Sequence, residues 1–206
     1  MSFLMENTGV PVRTLLVLEP YDIPWLGIQQ MLRTQLGHRV SLIRLHDTDR
    51  LAETAQRHQV DAILLSAVGH RSEVLPLLQQ LSLILRSPKQ AHIAAYLRKD
   101  LPHLEDLLQA FGVNTLFRGP LDAADLAHYL LPHRPVFHPV RLTHQECRVA
   151  QALLTGKSVT RVAQLMRKDI RTISAHKQAL LGKLNMVSRG ELQVLGGRLM
   201  ADEVRL

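Results

Sequence analysis

The side chains best suited to a chemical role lie in the segment 169–184, which has the sequence DIRTISAHKQALLGKL. A helix advances about 100° per residue, so this segment would gather four mainly apolar side chains on one face: Ile173, His176, Leu180 and Leu184. The opposite face would carry short or polar residues: Arg171, Ser174, Ala175, Gln178 and Gly182. Short side chains allow a helix to approach a DNA groove closely, and a glutamine amide can bond adenine N6 and N7 together. The pattern therefore predicts a helix that reads base edges.

Two shorter helices are predicted to position this segment. Thr143 and Glu146 have the spacing of a capping box, in which the hydroxyl and the carboxylate each satisfy a free backbone N–H. The helix that they begin is expected to end at Gly156. Ser158 is then expected to cap a second short helix over residues 159–166.

A basic turn, Arg167-Lys168, separates the second helix from the third, which Asp169 is expected to cap. Helix, tight turn and helix is the plan that lays the second helix of the pair in the DNA major groove. A fourth helix is predicted over residues 188–195, and Gly196-Gly197 is predicted to end it.

These helices resemble the helix-turn-helix of the LuxR/FixJ family, the NarL-type response regulators. The resemblance extends in register over the segment 142–192 and is carried by Leu142-Thr143, Glu146, Gly156-Lys157-Ser158, Val162-Ala163, Thr172-Ile173, His176, Lys183-Leu184 and Arg189. Within the family, the residues 168–174 with His176-Lys177 most resemble the Rcs-type capsule and motility regulators. The resemblance implies a transcription regulator that binds double-stranded DNA as a homodimer paired through the fourth helix.

The residues expected to contact DNA fall into two groups. Three are expected at base edges: Ser174, Ala175 and Gln178. Four are expected to hold phosphates: Arg171, Thr172, Lys177 and Lys183. No enzymatic activity, cofactor or metal is expected, since no catalytic constellation or regular metal-ligand spacing is present.

Charge is divided unequally along the chain. Residues 141–206 contain 12 Lys and Arg against 5 Asp and Glu, whereas residues 1–140 contain 13 of each. The net charge of +7 therefore lies wholly in the predicted DNA-binding segment. Positive charge confined to one domain is typical of a partner with a phosphate backbone.

Composition indicates a cytosolic protein with no membrane association. A chain of 206 residues has room for one large domain or two small ones, and its 46% hydrophobic residues are enough for a buried core. No apolar run approaches the roughly 18 residues that a membrane span needs, and the N-terminus lacks the order of a signal peptide. The single cysteine, Cys147, excludes an internal disulfide framework.

The N-terminal part alternates between strand and helix patterns. Strands are predicted over residues 12–18, 39–45, 60–65, 91–96 and 113–117, and helices over residues 25–36, 49–58, 72–85, 101–111 and 121–131. Five such pairs predict a doubly wound five-stranded parallel sheet, followed by the all-α four-helix domain. The N-terminal unit resembles the receiver domain of response regulators.

A phosphorylatable receiver uses an acidic pair, a phospho-acceptor aspartate, a Thr or Ser and a Lys at the carboxyl ends of its strands. Alignment by strand puts the acidic pair on Glu19 and Pro20 and the phospho-acceptor on Ser66. The Thr or Ser position falls near Tyr96, and the Lys-Pro position becomes Gly119-Pro120. One carboxylate is a poor site for Mg²⁺, and a serine cannot form the acyl phosphate. We therefore expect a pseudo-receiver with a degenerate phosphorylation site. Neither nearby acid fits the acceptor position, because Asp61 is predicted at the opposite end of its strand and Asp22 is predicted to cap the first helix. Arg118 lies one position from the lysine position.

Three prolines mark the predicted domain boundary: Pro132, Pro135 and Pro139. The predicted division is a tail over residues 1–12, a pseudo-receiver over 13–131, a linker over 132–140 and a DNA-binding domain over 141–206. Histidines in and near the linker, with Cys147, offer a minor alternative of metal sensing. Cys147 is expected to be a small core residue rather than a redox sensor.

Two further functions stay open beside the DNA-binding regulator. In one, the protein is an auxiliary partner that forms mixed dimers with another regulator. In the other, a small ligand in the cleft of the pseudo-receiver controls dimerisation.

Overall fold

A computed structural model gives the fold, and it describes residues 13–68, 74–97, 101–119, 122–130, 140–188 and 190–204. The first part of the chain alternates strands and helices: β1 (Arg13–Leu18), α1 (Asp22–Leu36), β2 (Val40–Leu45), α2 (Leu51–Arg57), β3 (Ala62–Val68), α3 (Val74–Ile84), β4 (His92–Leu97), α4 (Leu104–Ala110), β5 (Thr115–Phe117) and α5 (Ala123–Leu130). The second part contains four helices: α6 (His144–Leu154), α7 (Val159–Met166), α8 (Ile170–Lys183) and α9 (Glu191–Val204). In the described ranges, no helix is long and apolar enough to cross a membrane.

The five strands form one parallel sheet in the order β2-β1-β3-β4-β5. The central strand β3 is apolar on both faces because helices cover both sides of the sheet. Ile63 and Leu65 pack into one buried cluster, whereas Leu64 packs into the other, and none of the three is exposed. The predicted doubly wound fold is confirmed.

Strand β3 is longer than the sequence pattern predicts. It continues to Val68, with a register irregularity against β4 between Leu65 and Val68. Ser66 therefore lies within the strand and is buried, rather than following it.

The first helix starts differently from the prediction. Asp22 is its first helical residue, Tyr21 is the N-cap, and no side chain makes a capping hydrogen bond there. The Asp22 carboxylate instead pairs with the Arg44 guanidinium, with Oδ1 2.7 Å from the nearer NH1 nitrogen. A tertiary ion pair therefore replaces the predicted cap.

Helix α9 corrects another prediction, because it passes through Gly196 and Gly197 and continues to Val204. A Cβ atom on Gly196 would lie only 2.3 Å from the carbonyl oxygen of Leu154 at the end of α6. Gly197 has open space where its Cβ would be. Gly196 thus permits close packing between α6 and α9, and does not stop the helix.

The two parts of the chain are in direct contact. One buried apolar cluster contains residues from both. Gln151 Nε2 in α6 donates to the Leu78 carbonyl in α3 at 3.2 Å. Asn185, just after α8, donates from Nδ2 to Asp106 Oδ1 in α4 at 2.9 Å. Helix α4 therefore lies beside the carboxyl-terminal end of α8.

Candidate nucleic-acid interface

Three N-cap residues begin the helices of the helix-turn-helix as predicted, and Glu146 completes the first cap. The Thr143 hydroxyl accepts the Glu146 N–H at 3.3 Å, and the Glu146 carboxylate accepts the Thr143 N–H at 2.7 Å. Ser158 Oγ accepts the Arg161 N–H at the start of α7, at 3.1 Å. Asp169 Oδ1 accepts the Arg171 N–H at the start of α8, at 2.7 Å.

The turn before α8 is set by a residue in the left-handed region. Arg167 has φ 51° and ψ 48° and ends α7. Its N–H and that of Lys168 both donate to carbonyls of α7, at 3.2 Å and 3.0 Å. These bonds close the turn and set the direction in which α8 leaves it.

Helix α8 has the two faces that its sequence predicts. Ile173, Leu180 and Leu184 are fully buried, and His176 is half-buried beside them. The outward side chains are exposed: Arg171, Thr172, Ser174, Ala175 and Gln178. Lys177 is half-buried at the edge between the two faces.

The polar side chains of the outward face are available to a ligand. Among the described residues, no hydrogen bond or ion pair is made by the side chains of Arg171, Thr172, Ser174 or Gln178. An exposed amide and hydroxyls without protein partners keep their donors and acceptors for other molecules. Their roles at bases or phosphates remain predictions.

The structure argues against the predicted phosphate contact of Lys183. Its Nζ lies 2.7 Å from Glu146 Oε2 and donates to the Arg141 carbonyl at 3.0 Å. The Glu146 side chain is 7% exposed, so Lys183 neutralises a nearly buried charge. Burial alone would raise the pKa of Glu146, but hydrogen bonds from Lys183 and Thr143 outweigh it and lower that pKa. Lys183 is therefore a structural residue of the domain.

Other exposed cations lie near the ends of α7 and were not among the predicted contacts. Lys157 and Arg161 lie on either side of the capping Ser158, and Lys168 lies in the turn after α7. Basic residues next to helix termini are frequent phosphate contacts, so their positions in the sequence are a signal that marks these three as candidates.

His144 and Cys147 do not form a shared metal-binding face. His144 is exposed, whereas Cys147 is 2% exposed within the core of the domain. Burial, with the nearby Glu146, raises the pKa of the Cys147 thiol to about 11, so the thiol is protonated at neutral pH. Within the described ranges, no group of three or more His, Cys, Asp or Glu could hold a metal ion. The linker histidines at 133 and 138 lie outside those ranges.

At the carboxyl edge of the sheet, Glu19 and Ser66 lie together and are buried. Ser66 Oγ is 2.6 Å from Glu19 Oε2 and 2.8 Å from the Leu18 carbonyl oxygen, and its single proton can be given to one of them at a time. The other carboxyl oxygen of Glu19 accepts the Tyr21 N–H at 2.9 Å. Both oxygens of Glu19 are thus engaged within the protein.

The other two positions of the predicted degenerate site lie on neighbouring strands. Tyr96 is half-buried in β4 and pairs with Phe117 of β5. Gly119 is exposed just after β5, with φ 77°. The ends of parallel strands meet at one edge of the sheet, so the structure brings these elements to the same edge.

Asp61 and Asp22, the two acids outside the predicted site, each pair with a cation. Asp61 precedes β3 at the opposite edge and pairs with Lys89 at 2.9 Å. Burial alone would raise its pKa, but the Thr14 N–H and the Lys89 ammonium outweigh it and hold the pKa of Asp61 below its usual range. Arg118 Nε, one position from the expected lysine, lies 2.7 Å from Glu105 Oε1.

Residues 140–195 match the family model of bacterial regulatory proteins of the luxR family. The match spans α6 to α8 and the first part of α9. The helical part of the chain therefore contains a luxR-family domain, as the sequence resemblance predicted. No curated protein matches the chain by sequence.

Solved structures with the same order of domains are similar to this chain. The structure of RcsB from Salmonella enterica serovar Typhimurium, bound to promoter rprA in the presence of the phosphomimetic BeF3-, is 16% identical, with a TM-score of 0.50, over 90% of this chain and 98% of that one. A structure of two RcsB dimers bound to two parallel DNAs is 17% identical, with a TM-score of 0.50, over 93% of this chain and 98% of that one. At such low identity, these similarities establish the fold: a receiver-like domain followed by a helix-turn-helix domain.

Proposed function

We propose that this chain, in which a luxR-family domain follows a receiver-like domain, is a DNA-binding transcription regulator that acts as a dimer without aspartyl phosphorylation. The observation that carries the proposal is the outward face of α8. That face lies on a helix with a capped N-terminus and presents exposed side chains whose polar groups are unpaired within the described residues.

In the proposed complex, α8 lies in the major groove of double-stranded DNA. Ser174, Ala175 and Gln178 face base edges, while Arg171, Thr172 and Lys177 hold phosphates. The excess of Lys and Arg over Asp and Glu after residue 140 supports this, because counterion release from the phosphate backbone drives much of DNA affinity.

Independence from aspartyl phosphorylation is supported by the chemistry of the sheet edge. Serine occupies the position of the expected acceptor, and it is already bonded to the buried Glu19. Magnesium prefers several carboxylate oxygens, and both oxygens of Glu19 are engaged by the protein. The receiver-like domain is then a folded platform for the DNA-binding domain rather than a phosphorylation switch.

A dimer through α9 is supported by exposed apolar side chains at the start of this helix. Val194 is 56% exposed on α9, and Val187, in the loop that precedes it, is 97% exposed. A two-fold pair of α8 helices would read two half-sites about one helical turn apart. The homodimer is the arrangement proposed, and pairing with another regulator is the alternative that a failed homodimer would favour.

The test is a titration of the full-length protein against fragmented genomic DNA at two salt concentrations. A regulator with several phosphate contacts should bind with an affinity that falls steeply as salt rises, and it should enrich particular fragments. Light scattering of the bound complex should give two protein chains per site. Absence of binding at low salt would contradict the proposal and would favour the partner-dependent alternative.

A further inference from the structure

We infer that α8 recognises one A·T pair, or two adjacent ones, in each half-site, where Gln178 bonds an adenine and the Ala175 methyl packs on a thymine methyl. The inference rests on the proposed function and adds to it the base composition that the protein selects. It follows from which side chains are available along the outward face of α8 and from where that face ends.

The part of α8 that can meet bases ends near Gln178. Beyond it, the outward positions Ala179 and Gly182 line a gap with Asp106 and Gln109 of α4. A DNA phosphate that approached that end would meet the Asp106 carboxylate, which accepts a hydrogen bond from Asn185 there. The available window is therefore 171–178, which rises about 10 Å and spans roughly three base-pair steps.

After the first turn of α8, this window contains no exposed side chain that suits guanine. Arg and Lys pair with guanine O6 and N7, which makes them the commonest readers of that base. Arg171 is at the first turn, Lys177 is half-buried at the edge of the face, and Lys183 is held by Glu146. The exposed residues after the first turn are Ser174, Ala175 and Gln178.

Two of these exposed residues, Ala175 and Gln178, instead complement an A·T pair. Adenine offers N6 and N7 to an amide, and thymine offers a methyl group to an apolar side chain. Ala175 and Gln178 are three residues apart, so their Cβ atoms lie about 5–6 Å from each other on the helix surface. That separation lets the two residues contact the same or adjacent base pairs.

The experiment starts from duplexes that the full-length protein itself selects from a random pool. The selected half-site should contain an A·T pair at its centre. Replacing one central thymine with deoxyuridine removes only its methyl group and should weaken binding about fourfold. Replacing the paired adenine with 7-deazaadenine removes one acceptor and should weaken binding by about fivefold or more.

Protein variants assign these losses to residues. In Ala175→Gly the deoxyuridine substitution should cost nothing further, because the protein methyl is already absent, and in Gln178→Ala the same should hold for 7-deazaadenine. Glycine weakens a helix more than serine does, so Ala175→Ser is made as a second variant at this position. Circular dichroism checks that each variant is folded. Deoxyuridine in the flanking sequence is the control and should have no effect.

The outcomes separate this inference from the proposed function. A selected site with a G·C centre, or equal losses in wild type and variants, would overturn the A·T assignment while leaving DNA recognition intact. Failure of the pool to yield any preferred sequence, together with no salt-dependent binding, would overturn both.

Discussion

The carboxyl edge of the sheet and the outward face of α8 both carry polar side chains. Each is a place where folds of its type bind ligands. At the sheet edge, Glu19 and Ser66 are buried and bonded to each other and to the backbone. On α8, Ser174 and Gln178 are exposed, and their side chains have no partner in the described residues. Polar groups turned inward stabilise the protein, whereas polar groups turned outward are available to bind.

This contrast predicts which variants will lose stability and which will lose DNA affinity. Variants of inward groups should unfold more easily, with unchanged intrinsic binding. Variants of outward groups should keep their free energy of unfolding, since surface changes away from special features usually alter it by less than about 0.5 kcal/mol.

The largest effect is expected from two adjacent glycines of α9, of which Gly196 is buried and Gly197 is exposed. Gly196→Ala should lower the free energy of unfolding by about 3 kcal/mol, because its Cβ would overlap the Leu154 carbonyl. Gly197→Ala is the matched control and should raise that free energy by up to about 1 kcal/mol, since alanine is the better helix former. Urea titration measures both, and equal effects of the two variants would refute the packing of α6 on α9.

Removal of Lys183 should produce the next largest loss of stability. Lys183→Ala leaves Glu146 nearly buried without its cation and should cost about 2 kcal/mol. Lys177→Ala is the control and should leave the unfolding midpoint almost unchanged. A large loss of DNA affinity in Lys183→Ala without loss of stability would restore the phosphate role that the structure argues against.

The same ion pair gives a pH dependence. Because folding lowers the pKa of Glu146, this residue contributes stability above its unfolded pKa, and that contribution is lost as the pH falls from the unfolded value through the folded one. Lys183→Ala should therefore flatten the acid side of the stability profile. Urea midpoints measured from neutral pH downward provide the test.

Gln178→Ala tests the outward face directly. It should weaken specific DNA binding by roughly 1–3 kcal/mol while sparing non-specific binding, because only the base contact is lost. Gln30→Ala, an exposed glutamine on α1, is the control and should change neither. Equal losses on specific and non-specific DNA would show that Gln178 reads no base.

A smaller effect is expected at the sheet edge. Ser66→Ala removes the hydroxyl that faces Glu19 and should cost about 1 kcal/mol of stability. Intrinsic DNA affinity should not change, since the pair is proposed to have no signalling role. A changed affinity at a temperature where the variant is fully folded would mean that this edge is coupled to α8.

The smallest effect concerns a single phosphate contact. Lys177→Ala should reduce the slope of log affinity against log salt by about one unit. Arg33→Ala, an exposed cation on α1, should leave the slope unchanged. An unaltered slope in Lys177→Ala would remove this residue from the interface.

Local signals in the sequence predicted much of this architecture. The caps at Thr143, Ser158 and Asp169 depend on residues within a few positions, so their spacing was sufficient to locate them. The buried face of α8 followed from helical periodicity alone. The doubly wound parallel sheet followed from the alternation of strands and helices, which allows few topologies.

The features that were missed depend on residues far apart in the chain. Lys183 pairs with Glu146, 37 positions earlier, and Asp22 pairs with Arg44 instead of capping α1. Gly196 reads locally as a helix stop, but its function is set by the approach of Leu154. A sequence pattern contains no distance between helices, so these roles required the tertiary structure.

The central claim is that α8 binds DNA without any signal from the sheet edge. Its most direct test is the affinity of the full-length protein for a selected DNA site, measured with Mg²⁺ in the presence and absence of acetyl phosphate. The predicted result is the same affinity in both conditions, with the same dependence on salt. Binding that requires acetyl phosphate would contradict the claim and would show that a carboxylate of the receiver-like domain is phosphorylated.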